Sequence, residues 1–311
     1  MAESFTTQLI QRFQIEQKKN DHSGVYALSQ KLLAYHSNRI EGGMLTEKQT
    51  ASLFDTGTLT SEDALIRAKD VEEMTGHFLM FNEMLKTYAE PLSHELIKRY
   101  HYKLKSGVFE DIANGYPIRE YKNRRNIVSD ITTALPEEVH ARMTALLDEY
   151  NAADKHDLHG LAKFHADYEA IHPFPDGNGR TGRLILFKEC LKNDIDPFVV
   201  NDSRKAEYYH ALNTAQTKQD YRLPRGADRI PPAGRRLSAA GRKIANANAA
   251  TTRLLPPNIG SPNRCRKHTK TTQNVGELRL FSSRCDANTS HSTAPTPKAM
   301  RSNRTGRTKM C

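Results

Sequence analysis

Twelve residues, His172-Pro-Phe-Pro-Asp-Gly-Asn-Gly-Arg-Thr-Gly-Arg183, constrain this chain more than any other stretch. They place one imidazole, one carboxylate, one amide, three glycines and two guanidinium groups between a helical run ending near Ile171 and another beginning near Arg180. Pro173 and Pro175 stop the first helix, because proline has no amide donor. Gly177 and Gly179 admit backbone angles that other residues avoid, so the segment between is a tight loop. Successive N–H groups of such a loop, followed by the unpaired amides of a new helix, form a concave anion site. Arg180 and Arg183 lie three apart on that helix and can fork onto phosphate oxygens. Basic residues at a helix N-terminus oppose its dipole, so a ligand or a carboxylate has to offset them.

The same residues suit a metal-bound nucleotide better than a bare phosphate. Asp176 is a hard oxygen donor fit for Mg2+ bridging two phosphates, and His172 titrates near neutrality and can take a proton from an attacking hydroxyl. No glycine-rich stretch ends in Gly-Lys-Ser or Gly-Lys-Thr, and no early strand leads into a dinucleotide fingerprint.

At His172, Phe174, Asp176, Gly177, Asn178, Gly179, Arg180 and Arg183 the run resembles the signature of the Fic family, His-x-Phe-x-Asp/Glu-Gly-Asn-Gly-Arg-x-x-Arg, with no departure. The resemblance implies transfer of AMP from ATP, with Mg2+, to a protein hydroxyl. By it His172 is the general base, Asp176 the Mg2+ ligand, and Gly177, Asn178 and Gly179 the anion hole. Arg180 partners the transferred or β phosphate, Arg183 clamps the γ phosphate, and Phe174 is a buried anchor. Upstream, Ser37-Asn-Arg-Ile-Glu41-Gly-Gly43 reads physically as a helix end whose carboxylate is badly placed against the dipole. It resembles the family's inhibitory motif Ser/Thr-x-x-x-Glu-Gly/Asn, which implies that Glu41 pairs with Arg183 in a class with an N-terminal inhibitory helix. An ordinary helix C-cap is the plain alternative.

Along the chain, helices are expected over residues 4–35 with a break near 20–23, from Thr46 to Phe54, from about Glu62 to Tyr88, from Pro91 to about Ser106, from Pro136 to about Tyr150, from His156 to Ile171, and from Ser203 to Lys218. Leu65 and Ile66 join Val71, Met74 and Phe78 in the apolar stripe of the third of these runs, behind a cap at Thr60 to Asp63. His77, His94 and His101 have no partners at ligand spacing and read as structural or exposed. His165 reads as a core hydrogen-bonder, and Cys190 as an inert buried thiol. Gly115-Tyr116-Pro117-Ile118-Arg119 and Ile127 to Ile131 flank a basic middle, Lys122 to Arg125, as two arms of a β-hairpin or as a plain surface loop. As a hairpin the piece resembles the family flap, which aligns an extended target segment as an added strand. Tyr208 and Tyr209 resemble the family's adenine-side residues.

Charge divides the chain. The formal net charge is +10, yet residues 223–311 hold 18 Lys+Arg against 3 Asp+Glu and residues 1–222 hold 28 against 33. Nucleic-acid binding argued from the whole-chain charge is thus a claim about the tail, where aromatic interleaving is lacking apart from Phe281. The expected organisation is N-terminal helices with the inhibitory motif over 1–60, a catalytic core over 61–222, and a basic, disordered tail over 223–311. The fold class is all-α, a Fic-type helical core with a small β-hairpin flap. No apolar run is long enough for a membrane span, no signal-peptide pattern opens the chain, and four cysteines at non-metal spacing suggest a reducing, cytoplasmic setting. Homodimerisation is compatible with the long amphipathic helices. Two other functions stay open: removal of AMP from a modified protein by the same site, and a non-enzymatic, nucleic-acid-associated regulator acting through the tail.

Overall fold

The computed structural model describes residues 3–59, 65–126, 133–221 and 228–230. Among them helices dominate, in the order α1 (Phe5–Lys19), α2 (Val25–Ile40), α3 (Glu47–Thr56), α4 (Ala68–Thr87), α5 (His94–Lys105), α6 (Phe109–Ala113), α7 (Pro136–Asn151), α8 (Leu158–Ile171), α9 (Asn178–Lys192) and α10 (Lys205–Lys218). Caps explain several boundaries. Ser4, Ser93 and Asp157 each accept a backbone hydrogen bond at an N-terminus, and Thr46 with Gln49 makes a reciprocal capping box. Asn20 in the left-handed region ends α1, where the sequence shows its break.

Helix α9 lies in the centre. Of its fifteen residues only Gly179 and Lys192 are not buried, and α2, α4, α5 and α8 all pack on it. A helix enclosed on every side cannot show an amphipathic stripe, and its apolar face of Leu184, Phe187 and Leu191 is continued by buried Lys188 and Glu189, paired with each other. The main core joins Phe13, Phe81, Tyr100, Val139, Tyr168, Phe174 and Phe187 from six helices and the loop before α9. Helices α4 and α5 make the closest approach, at Gly76, where a Cβ would overlap the Leu104 carbonyl oxygen.

Three expectations change. The long helix begins at Ala68 rather than near Glu62; Leu65 is 98% exposed and outside it, and the expected cap at 60–63 lies outside the described residues. Arg67 supplies the start instead, forking onto Asp70 and donating to the Gly42 carbonyl. Residues 115–119 form no strand; their second arm, 127–131, lies outside the described residues, so the all-helical core stands without a described hairpin there. The β-structure that is described lies elsewhere: β1 (Phe198–Val199) pairs antiparallel with β2 (Asp228–Arg229), and Ile230 is buried in the main core. Packed structure therefore reaches past residue 222. Most of the tail, including Cys265, Cys285 and Cys311, lies outside the described residues. Among the described residues no helix is long and apolar enough to cross a membrane.

Candidate active site

The loop between α8 and α9 is held by its own residues. His172 caps α8 in the left-handed region at φ 53°, donating its amide to the Tyr168 carbonyl, and the two prolines carry the chain out of helical geometry. Phe174 is fully buried and stacked on His101 at 3.8 Å between centroids. The Asn178 side chain clasps the Phe174 backbone from both sides: its Oδ1 accepts from the amide and its Nδ2 donates to the carbonyl, each at 2.8 Å. Asn178 therefore fixes the loop with its side chain and leaves only backbone for an anion. Gly177, at φ 80°, turns the chain into α9 without any side-chain cap, and no acidic residue lies in the first turn. Helix α9 thus begins with open amides and two arginines, a charge arrangement that needs an anion.

Glu41 supplies it. The residue caps the C-terminus of α2, and its Oε1 accepts from Arg183 Nη2 at 2.7 Å. A Cβ on Gly179 would overlap that same oxygen and would stand 2.9 Å from Arg183 Nη1, so the carboxylate lies directly against the first turn of α9. Ser37 completes the arginine's partners, its Oγ accepting from Nε and its carbonyl from Nη2, both at 3.0 Å. Burial alone would raise the Glu41 pKa; Arg183 and then Arg180 outweigh it and the net shift is downward, so Glu41 is ionised at neutral pH.

Asp176 belongs to a second group of charges. Its Oδ1 accepts from the Gly177 amide at 2.7 Å, its Oδ2 from Lys105 Nζ at 2.7 Å, and both oxygens face Arg180 Nη2 at 3.2 Å. Arg180 also pairs with Glu73, which pairs with Lys105 at 2.6 Å. Against the rise that burial would cause, Arg180 and Lys105 hold the Asp176 pKa far below the usual carboxylate range. Its side chain remains 40% exposed, so a hard cation can reach an edge of the carboxylate, in competition with these donors.

His172 is half-buried at the mouth of the loop. Burial first and the Lys122 charge second lower its pKa to about 4. At neutral pH the ring is therefore uncharged, with one nitrogen able to accept a proton. Glu169 itself is pushed up to about 8 by burial, and its Oε1 has no hydrogen-bond partner.

Several supports carry no sequence signal. His101 Nε2 lies 3.0 Å from the Asp176 carbonyl and its Nδ1 2.6 Å from that of Ile118, so the ring ties residues 115–119 to the loop. Lys122, in what reads as an exposed basic stretch, is buried; its amide donates to the Pro173 carbonyl at 2.8 Å and its ammonium to Thr133 and the Ile171 carbonyl. Asn126 donates to the Phe174 carbonyl at 2.7 Å. Gly115, Tyr116, Pro117, Ile118 and Arg119 thus stand beside the loop through His101, while Arg119 itself pairs outward with Glu95. The two tyrosines part company: Tyr208 is buried, bonded to His165 Nε2 at 2.9 Å and covered by the Arg183 guanidinium, whereas Tyr209 is 42% exposed. Tyr209 is the more accessible of the pair, with the Lys205 ammonium 5.6 Å from its ring centre. Cys190 is buried, and burial raises its thiol to about 12, consistent with an unreactive side chain.

Comparison with known proteins agrees with this geometry. Residues 91–189 match the sequence model described as the Fic/DOC family. A protein named protein adenylyltransferase Fic, from Nematostella vectensis, is 26% identical over 186 residues, which is 58% of this chain and 42% of that protein. Protein adenylyltransferase fic-1 of Caenorhabditis elegans is 25% identical over 190 residues, 59% of this chain and 36% of the relative. The chain thus spans less than half the length of these curated relatives. A crystal structure of a Fic-domain-containing signalling protein from Bacteroides thetaiotaomicron shares the fold at a TM-score of 0.57 and 24% identity, over 79% of this chain and 92% of that one. The family match thus falls on residues 91–189, which hold the intact signature loop and its flanking helices, and the solved structure shares the helical fold.

Proposed function

We propose that this chain is a protein adenylyltransferase, moving AMP from ATP to a Ser, Thr or Tyr hydroxyl of a target protein, and that Glu41 holds it inactive. The observation that carries the reading is the Glu41 carboxylate seated between Arg183 and Gly179, an anion in the place where phosphate oxygens would meet the open amides of α9. A cradle that accepts one oxyanion at an uncapped helix start, beside two buried arginines and a partly open carboxylate, fits a metal-bound nucleotide. Asp176 would hold Mg2+, which when bound neutralises phosphate charge.

The chemistry then follows from the residues. Arg183, released from Glu41, clamps the terminal phosphate, Arg180 and the α9 amides hold the inner ones, and Tyr209 offers a face to the adenine. Residues 115–119 align an extended target segment beside the loop. The target hydroxyl oxygen forms a bond to the α phosphorus, its proton passes to the open nitrogen of His172, and the bond to the β-phosphate bridging oxygen breaks to release pyrophosphate. Alignment and fixed positive charge do most of the work once Glu41 has left Arg183. With Glu41 in place the terminal phosphate and the carboxylate compete for Arg183. Intact-mass measurement tests this: Glu41→Gly protein incubated with ATP and Mg2+ should gain adenylyl groups, on itself or on an added target, and absence of any gain despite ATP binding would contradict it.

A second reading, removal of AMP from a modified hydroxyl, is favoured by one observation: Glu41 is held ionised and could align a water molecule. Release of AMP from a modified target by the unaltered protein, lost in Glu41→Gly, would select it.

A further inference from the structure

Lys105 ends α5 inside the protein, 2% exposed, and its ammonium meets three carboxylates from three different elements: Glu73 of α4 at 2.6 Å, Asp111 of α6 at 2.6 Å and Asp176 of the loop at 2.7 Å. The arrangement closes into a ring, because Glu73 also pairs with Arg180 and Arg180 with Asp176. Asp111 carries the ring towards the target side, since its carbonyl accepts from the Tyr116 amide at 3.0 Å. One turn earlier on the same helix, the His101 ring lies between the Ile118 and Asp176 carbonyls, and a neutral imidazole donates to one of them. Helix α5 therefore packs His101 against the Asp176 main chain and holds the Asp176 side chain through Lys105.

We propose that Lys105 is a positioning residue that keeps Asp176 from binding a divalent cation on its own, so that the metal is taken up only together with a nucleotide. The inference rests on the assignment of Asp176 as the metal ligand made above. Two full positive charges, Lys105 and Arg180, lie at the Asp176 oxygens, and a third donor is the Gly177 amide. Glu73 and Asp111 share those cations, yet a bare divalent cation approaching the exposed edge of Asp176 still meets an ammonium fixed 2.7 Å behind one oxygen and a guanidinium 3.2 Å from both. Nucleotide phosphates would add oxygen donors and negative charge on the open side of the carboxylate, away from Lys105, where a metal could sit between them and Asp176. Lys105 also fixes the Asp176 rotamer, as a buried pair between rigid elements does more readily than an exposed one. An amphipathic helix ending in Tyr-Lys-Leu-Lys gives no hint of this, because a basic residue in a last turn reads as a partner of the dipole.

The test titrates Mn2+, followed by its paramagnetic resonance signal, into the full chain without nucleotide. Lys105→Met should bind Mn2+ at least about tenfold tighter than the unaltered protein, Lys105→Arg should behave like the unaltered protein, and adding Asp176→Ala to Lys105→Met should abolish the gain. Should Lys105→Met fail to fold, Lys105→Gln/Asp111→Asn, which removes one charge of each sign, takes its place with the same expectation. Unchanged Mn2+ affinity in a folded variant lacking the ammonium overturns the proposal, as does a gain that persists without Asp176. A parallel titration of Glu41→Gly with ATP separates the two claims: no nucleotide-dependent Mn2+ binding there would count against the nucleotide site itself, while the Lys105 comparison, made without nucleotide, is decided on its own result.

Discussion

Glu41 and Gly179 are 138 positions apart in sequence numbering, yet a single methyl group on Gly179 would overlap the Glu41 carboxylate oxygen. That contact explains why position 179 is glycine: the first turn of α9 has to remain bare for an oxyanion to reach its amides. Gly179→Ala made in the Glu41→Gly background should therefore weaken ATP binding by at least about tenfold, near 1.4 kcal/mol, with little change in melting temperature. Calorimetry checks this, and unchanged affinity would show that the nucleotide does not use the cradle.

His172 should act as a base that stays unprotonated well below neutrality. Burial and Lys122 lower its pKa to about 4, so the acid limb of kcat/KM for Glu41→Gly protein should fall near that value and not at the ordinary histidine value of about 6.5. The sign is definite, because protonation removes the acceptor and activity is lost as pH falls through the folded-state value. A limb centred near 6.5 would mean that the free site leaves His172 solvated.

Gly76→Ala should destabilise the protein by about 1–3 kcal/mol. The added Cβ meets the backbone of Leu104 in the neighbouring helix, which no side-chain rotation can relieve, and α4 and α5 have to part. Separation at that point also shifts Lys105 against Glu73. A chemical denaturation midpoint equal to that of the unaltered protein would contradict the close approach.

The adjacent tyrosines should respond differently. Tyr208→Phe removes a buried hydroxyl from His165 and should cost about 1 kcal/mol of stability, with ATP affinity retained. Tyr209→Ala removes an exposed ring and should weaken ATP binding without moving the denaturation midpoint. The opposite pattern would place the base on Tyr208.

Much of the site is legible in the chain because its reacting groups are contiguous. Pro173, Pro175, Gly177 and Gly179 announce both the loop and the start of α9, and the arginines on that start announce the need for an anion. Ser37 and Glu41 are readable through the motif they resemble, and both touch Arg183. What is not legible is the support. Lys105 and Asp176 are 71 residues apart, and neither spacing nor periodicity links them. Lys122 and Asn126 look like a solvated basic stretch because their acceptors are loop carbonyls, which every sequence possesses. Helix α6 is too short for a periodic pattern, and the two-residue strand at Asp228–Arg229 has no alternation to read. Tyr208 and Tyr209 are indistinguishable in sequence; only packing against His165 and Arg183 separates the buried ring from the open one.

The most direct measurement is transfer from α-phosphate-labelled ATP to protein, comparing the unaltered chain, Glu41→Gly and Glu41→Gly/His172→Ala in the presence of Mg2+ and a whole-cell lysate. Label should be weak in the first, rise at least about tenfold in the second, in line with a freed arginine clamp, and vanish in the third. Equal labelling of the first two would contradict the blocking role of Glu41, and label surviving in the third would contradict His172 as the base.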